Sequence, residues 1–121
     1  MEKLIVQMTL ETLIGAIHQW GRERGIHQNG RLDSQAEKLV EEANETLEAA
    51  RKLALHPAVK ECCMSRWDEL RDGIGDTFVV LVQLCAISGI ELEEAIDSAY
   101  LEIRDRKGFL NEDGVFVKES E

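Results

Sequence analysis

The sequence predicts an all-α fold: a four-to-five-helix, bundle-like domain, oligomeric, closed by a short C-terminal hairpin or extended tail. Three observations predict it. The 121 residues hold a single proline, and a proline-poor chain favours long helices over sandwiches or barrels. Apolar residues recur at three- and four-residue spacing over most of the length. Punctuation at His56-Pro57 and Gly89 divides the pattern into helix-sized pieces. The length suits one domain, residues 1–121, and is short enough for helices to bury a face on a second subunit.

The elements follow in order. Leu4, Met8, Ile14 and Ile17 predict a first helix over residues 2–24, and Asn29-Gly30 marks a turn within residues 25–31. Ser34-Gln35-Ala36-Glu37 has the form of a capping box and predicts the start of a second helix. Ala36, Leu39, Val40, Ala43, Leu47, Ala50 and Ala54 then make one apolar stripe. Residues 58–64 read as a short helical connector, and Ser65-Arg66-Trp67-Asp68 as a cap opening a third helix that stops at Gly89. A fourth helix covers residues 91–106, with acids in its first turn. Asn111-Glu112-Asp113-Gly114 between Phe109-Leu110 and Val115-Phe116-Val117 predicts a hairpin.

The composition excludes some classes. A net charge of -10 argues against nucleic-acid binding, because phosphate contacts need Lys/Arg patches. The longest apolar run, residues 78–87, is about half a membrane span. Three cysteines, Cys62, Cys63 and Cys85, form no disulfide framework and no zinc motif. No signal-peptide pattern opens the chain. These features lead to the expectation of a cytoplasmic protein with neither nucleic acid nor membrane as partner.

The acids carry the functional argument. From Phe78 to Ile87 the third helix is apolar nearly all round, which predicts a central, buried helix. Glu69, Asp72 and Asp76 fall within about 60° of one another on its wheel. Asp76 borders the apolar run, and an acid that loses water there needs a cation. On the second helix Glu42 and Glu45 flank the apolar stripe, while Glu41 and Glu48 point elsewhere. A Glu-rich helix alone is usually just solvated. Carboxylates from two facing helices can instead converge on a metal. An all-oxygen set suits magnesium, or manganese, rather than zinc or copper.

At these residues the sequence resembles the MazG-like, all-α nucleoside triphosphate pyrophosphohydrolases, in their small phage and bacterial form. Leu39-Val40-Glu41-Glu42-Ala43-Asn44-Glu45 fits the family's first motif, E-x-x-E, at Glu42 and Glu45. Asp76 fits the aspartate of the second, E-x-x-D, ahead of an apolar helix that ends at Gly89-Ile90-Glu91-Leu92. One position departs: Gly73 stands where the family usually has glutamate. Asp72 could supply that carboxylate, and Glu69-x-x-Asp72 has the same spacing one register earlier. The family's Lys and Asn on the last helix have no clear match. Arg104, Arg106 and Lys107 take their place as candidate phosphate contacts, or serve as ordinary helix-end charges.

The resemblance spans roughly residues 20–110. It implies magnesium-dependent hydrolysis of a nucleoside triphosphate to the monophosphate and pyrophosphate, in a homodimer or homotetramer. Glu42, Glu45, Asp72, Asp76 and Glu69 are then the metal ligands, with Glu42 or Glu45 positioning or deprotonating water. Trp20 could stack on the base or anchor the core, Gln35 could read the base edge, and Lys38 could contact phosphate or pair with Glu42. Two alternatives stay open: a related enzyme acting on phosphoribosyl-ATP, and a non-catalytic helical dimer whose acids are simply solvated.

Overall fold

A computed structural model describes residues 8–56 and 60–119, with side chains outside 60–65. The elements are α1 (Leu10–Glu23), α2 (Ile26–Asn29), α3 (Leu32–Leu55), α4 (Lys60–Ser88), α5 (Leu92–Ile103), β1 (Gly108–Leu110) and β2 (Phe116–Lys118). The predicted helices and hairpin are present. The described residues fall into two compact units, one up to Gly89 and one from Ile90 onward.

In the first unit α4 is the central helix. It packs along α3 and also meets α1 and α2. Val80 and Val82 of α4, with Ala49 and Leu53 of α3, form the buried apolar core. This bears out the reading of the apolar run as central. Two close approaches fix the packing. A Cβ on Gly21 of α1 would land on the Gln83 amide. Gln83 is itself buried; its Oε1 accepts from His27 Nε2 at 2.9 Å, and its Nε2 donates to the Ile17 carbonyl at 3.3 Å. A Cβ on Gly73 would strike the Thr46 hydroxyl and lie 3.1 Å from Thr46 Cα. Here α3 and α4 nearly touch backbone to side chain.

Several boundaries differ from the sequence expectation, each for a local reason. The helix expected from residue 2 begins at Leu10, with the Thr9 hydroxyl accepting from Thr12 N–H at 3.1 Å; residues 1–7, with Leu4, lie outside the described residues. The turn at residues 25–31 contains one helical turn, entered at Gly25 with φ 76°. Ser34 does not cap α3. The helix starts two residues earlier, and Asp33 accepts from Ser34 N–H at 2.9 Å while pairing with Arg31 at 2.6 Å. A carboxylate in the first turn does the work expected of the hydroxyl. No helix starts at Ser65-Arg66-Trp67-Asp68: α4 is continuous from Lys60, and no glycine or proline interrupts residues 60–72. The helix C-terminal to Gly89 ends at Ile103 rather than residue 106.

The stripe on α3 is the larger correction. The face turned toward α4 carries Gln35, Leu39, Glu42, Thr46, Ala49 and Leu53, all buried or half-buried. Ala36, Val40, Ala43, Leu47, Ala50 and Ala54 are exposed. Of the predicted stripe only Leu39 is drawn inward.

In the second unit, β1 and β2 pair antiparallel with Phe109 opposite Val117. Asn111 Oδ1 accepts from the N–H groups of Asp113 and Val115, and Gly114 takes φ 78°. The side chain thereby mimics a turn in the backbone. No single helix among the described residues is long and apolar enough to cross a membrane.

Candidate functional site

Between α3 and α4 of the first unit lies a cleft of about 370 Å³, lined by Glu45, Glu48, Ala49, Lys52, Glu69, Asp72, Gly73 and Asp76. The helices explain its contents. Positions 45, 48, 49 and 52 recur on one side of α3, and 69, 72, 73 and 76 on the facing side of α4. Gly73 lets the helices close at Thr46, and the long acidic side chains splay around that contact. The Thr46 and Thr77 hydroxyls turn away from the cleft chemistry, donating to the carbonyls of Glu42 and Gly73 at 2.8 and 2.7 Å.

The structure thus brings together four of the predicted acids: Glu45, Glu69, Asp72 and Asp76. It adds two residues. Glu48, expected to point elsewhere, lines the cleft. Lys52, not singled out from the sequence, places its ammonium 3.7 Å from both Glu48 and Glu69 and so links the two helices. The signal for Lys52 was available as an i,i+4 spacing from Glu48 and a seven-residue repeat from Glu45. Asp76, expected to be starved of water beside the apolar run, is exposed, because the open cleft hydrates it.

The buried acid is Glu42 instead. Its side chain is only 9% exposed, and Lys38 Nζ lies 3.4 Å from Oε1. Oε2 is buried with no hydrogen-bond partner. A buried carboxylate oxygen left without a donor or cation costs about 1–3 kcal/mol or more. Glu42 also acts on its neighbour. Its charge, and then its hydrogen bonding, push the Glu45 carboxyl above the ordinary carboxylate range. Glu42 and Glu45 are therefore electrically one pair. Glu42 forms its buried end, and Glu45 opens into the cleft.

The remaining predicted residues are placed as follows. Lys38 bridges Glu41 at 3.2 Å and Glu42 at 3.4 Å, and these two carboxylates hold its ammonium charged to higher pH than usual. Gln35 is half-buried on the α4-facing side of α3. Trp20 is 41% exposed, with the Arg24 guanidinium 4.6 Å above its ring, so it does not anchor the core of this unit. Arg104 lies 3.4 Å from Asp105. Arg106 and Lys107 line a second cleft, within the second unit, beside Phe109 and Phe116.

In kind, the carboxylates suit a hard cation. As the side chains stand, no group of three or more His, Cys, Asp or Glu among the described residues is arranged so that it could hold a metal ion. No family model, curated protein or solved structure matches the chain.

Proposed function

We propose that the chain is a magnesium-dependent hydrolase that cleaves nucleoside triphosphates to the monophosphate and pyrophosphate, with the α3–α4 cleft as its active site. The observation that carries this reading is the Glu42–Glu45 pair. A buried carboxylate with a bare oxygen, backing a second one that opens into an acid-lined cleft, is costly as mere structure and useful as a cation site. The resemblance of residues 39–45 and of Asp76 to the MazG-like motifs supports the same residues.

Glu45 from one wall of the cleft and Asp72 and Asp76 from the other would hold the metal, joined by Glu42 from behind Glu45. Glu69 is the weaker candidate, because Lys52 already meets it. Magnesium, when bound, would neutralise phosphate charge and ease deprotonation of a water. Glu45, raised by Glu42, is the better proton acceptor of the pair, since general-base strength rises with pKa. Phosphoryl chemistry needs positioning more than a covalent nucleophile, so the lack of a Ser, Cys or His in the cleft is no obstacle.

A second reading has its own observation. Lys38 and Lys52 each sit between two glutamates, as in a non-catalytic helical protein whose acids are neutralised internally. One experiment separates the two. The protein is incubated with mixed ribo- and deoxyribonucleoside triphosphates plus magnesium, and pyrophosphate is measured. Release that disappears in Glu42→Gln is the expected result. No turnover, with a melting temperature indifferent to magnesium, would reject catalysis. Including phosphoribosyl-ATP among the substrates tests the related histidine-pathway activity.

A further inference from the structure

The α3–α4 cleft is lined by the carboxylates of Glu45, Glu48, Glu69, Asp72 and Asp76 and by one cationic side chain, Lys52. The Lys52 ammonium stands 3.7 Å from Glu48 Oε1 on its own helix and 3.7 Å from Glu69 Oε2 on the facing one. Both distances exceed hydrogen-bonding range, so charge alone holds it there. Its side chain is 43% exposed, on a flexible four-carbon stem. Loose, half-exposed pairs of this kind are weak and exchange readily with water. Glu45, Asp72 and Asp76 have no ion-pair partner among the described residues. As they stand, no three acids among the described residues could share a metal ion. Two of the cleft acids, one from each wall, meet the ammonium instead.

We propose that Lys52 is the cleft's stand-in cation: it sits between the two walls while no metal is bound, and a divalent ion enters by displacing it. The inference rests on the cation-site half of the hydrolysis reading and not on turnover. Charge decides which ions can make the exchange. A monovalent ion brings no more charge than the ammonium it would replace, and it must shed water to enter. A divalent ion doubles the attraction to each carboxylate at a given distance. Magnesium also keeps several of its own waters, so a few carboxylates suffice. The displaced ammonium swings outward on its stem and recovers full hydration. Lys52 thus makes the cleft selective for divalent over monovalent ions, and lowers its affinity for both. Lys38, the other lysine between two glutamates, is placed differently. It donates to Glu41 at 3.2 Å, lies 3.4 Å from Glu42 and does not line the cleft. Lys38 is a fixed partner, and Lys52 a displaceable one.

The test measures metal binding directly and needs no nucleotide. Magnesium is titrated calorimetrically into the wild-type chain, Lys52→Gln and Lys52→Arg, and each is melted with and without magnesium at constant ionic strength. Removing the competing charge should tighten magnesium binding in Lys52→Gln by about three- to tenfold at low salt. The metal-free Lys52→Gln chain should melt below the wild type, and saturating magnesium should close that gap. Lys52→Arg keeps the charge and should bind magnesium like the wild type. Replacing tetramethylammonium by sodium at matched ionic strength should raise the melting temperature of Lys52→Gln alone. A melting gap that is the same with and without magnesium would overturn the proposal and leave Lys52 a fixed salt bridge. Magnesium affinity unchanged or weakened in Lys52→Gln, or a sodium response shared by the wild type, would overturn it as well. No magnesium binding in any of the three chains would overturn it together with the cation site. The expected order of magnesium affinities without nucleotide turnover would uphold it and reject only the hydrolysis.

Discussion

The two long faces of α3 reverse the usual arrangement of an amphipathic helix. The face against α4 holds Gln35, Glu42 and Thr46 among its apolar residues, whereas the exposed face is built from alanine, valine and leucine. About one 100° residue step separates them. Hydrophobicity is therefore not what distinguishes inside from outside within one chain here. The inner face is chosen by fit, at the point where Gly73 admits Thr46, and it carries Glu42, the buried acid. The outer face carries the exposed apolar stripe.

The strongest way to break this contrast is to remove the charge from the inner face. Glu42→Gln keeps the shape and hydrogen-bonding length of the side chain. Turnover in the pyrophosphate assay is expected to fall about 100-fold or more, on the scale of losing a metal-site group, with helix content intact. Full activity would reduce the inner face to a packing surface. Asp72→Asn should then be nearly as damaging as Asp76→Asn, and Glu69→Gln mild. The opposite ordering would move the site to the Glu69–Asp72 register.

A second prediction concerns why the inner face is inner. Gly73→Ala should destabilise the protein by about 1–3 kcal/mol, the cost of overpacking a tight contact. Gly75, two residues on, has nothing within 4 Å of a Cβ, so Gly75→Ala should instead stabilise by up to ~1 kcal/mol through helix propensity. Thermal melts of the two variants, side by side, read the difference. Equal shifts would mean that the Thr46 contact does not set the packing.

The smallest effect sharpens the electrostatics. Glu45 is held above its ordinary value of 4.5 by Glu42. A carboxyl raised in the folded state binds its proton more tightly there than in the unfolded chain. It therefore favours folding at low pH, and that contribution is lost as the pH rises through the folded value. Glu45→Gln should melt slightly higher than the parent near neutrality, and the gap should close as the pH falls toward about 4.5. A gap independent of pH would show that the pair is not coupled.

Much of the fold was legible in the sequence. The central helix from Phe78 to Ile87, its stop at Gly89 and the Asp-Gly hairpin all rest on local signals, and all are present. Two kinds of feature were not legible. Helix-start residues such as Thr9, a cap, and Asp33, a first-turn carboxylate, compete with equally good neighbours such as Ser34, and only the realised backbone decides between them. Faces were the other. A helical wheel finds an apolar stripe but not which partner takes it, so α3 seemed to offer its alanines to α4. The same blindness applied to the acids. Asp76 drew attention for bordering an apolar run, but the cleft hydrates it. Glu42, credited through its E-x-x-E spacing, is the one that lost its water. Burial of a single side chain depends on a contact distant in sequence, here the meeting of Thr46 with Gly73.

That meeting also constrains how the chain can vary. A carboxylate at position 73 carries the cost of Gly73→Ala from its first side-chain carbon alone, because that carbon meets Thr46. A smaller residue at position 46 would relieve the contact. Positions 46 and 73 are thus coupled in what they tolerate, whereas a carboxylate at Asp72 meets no such contact.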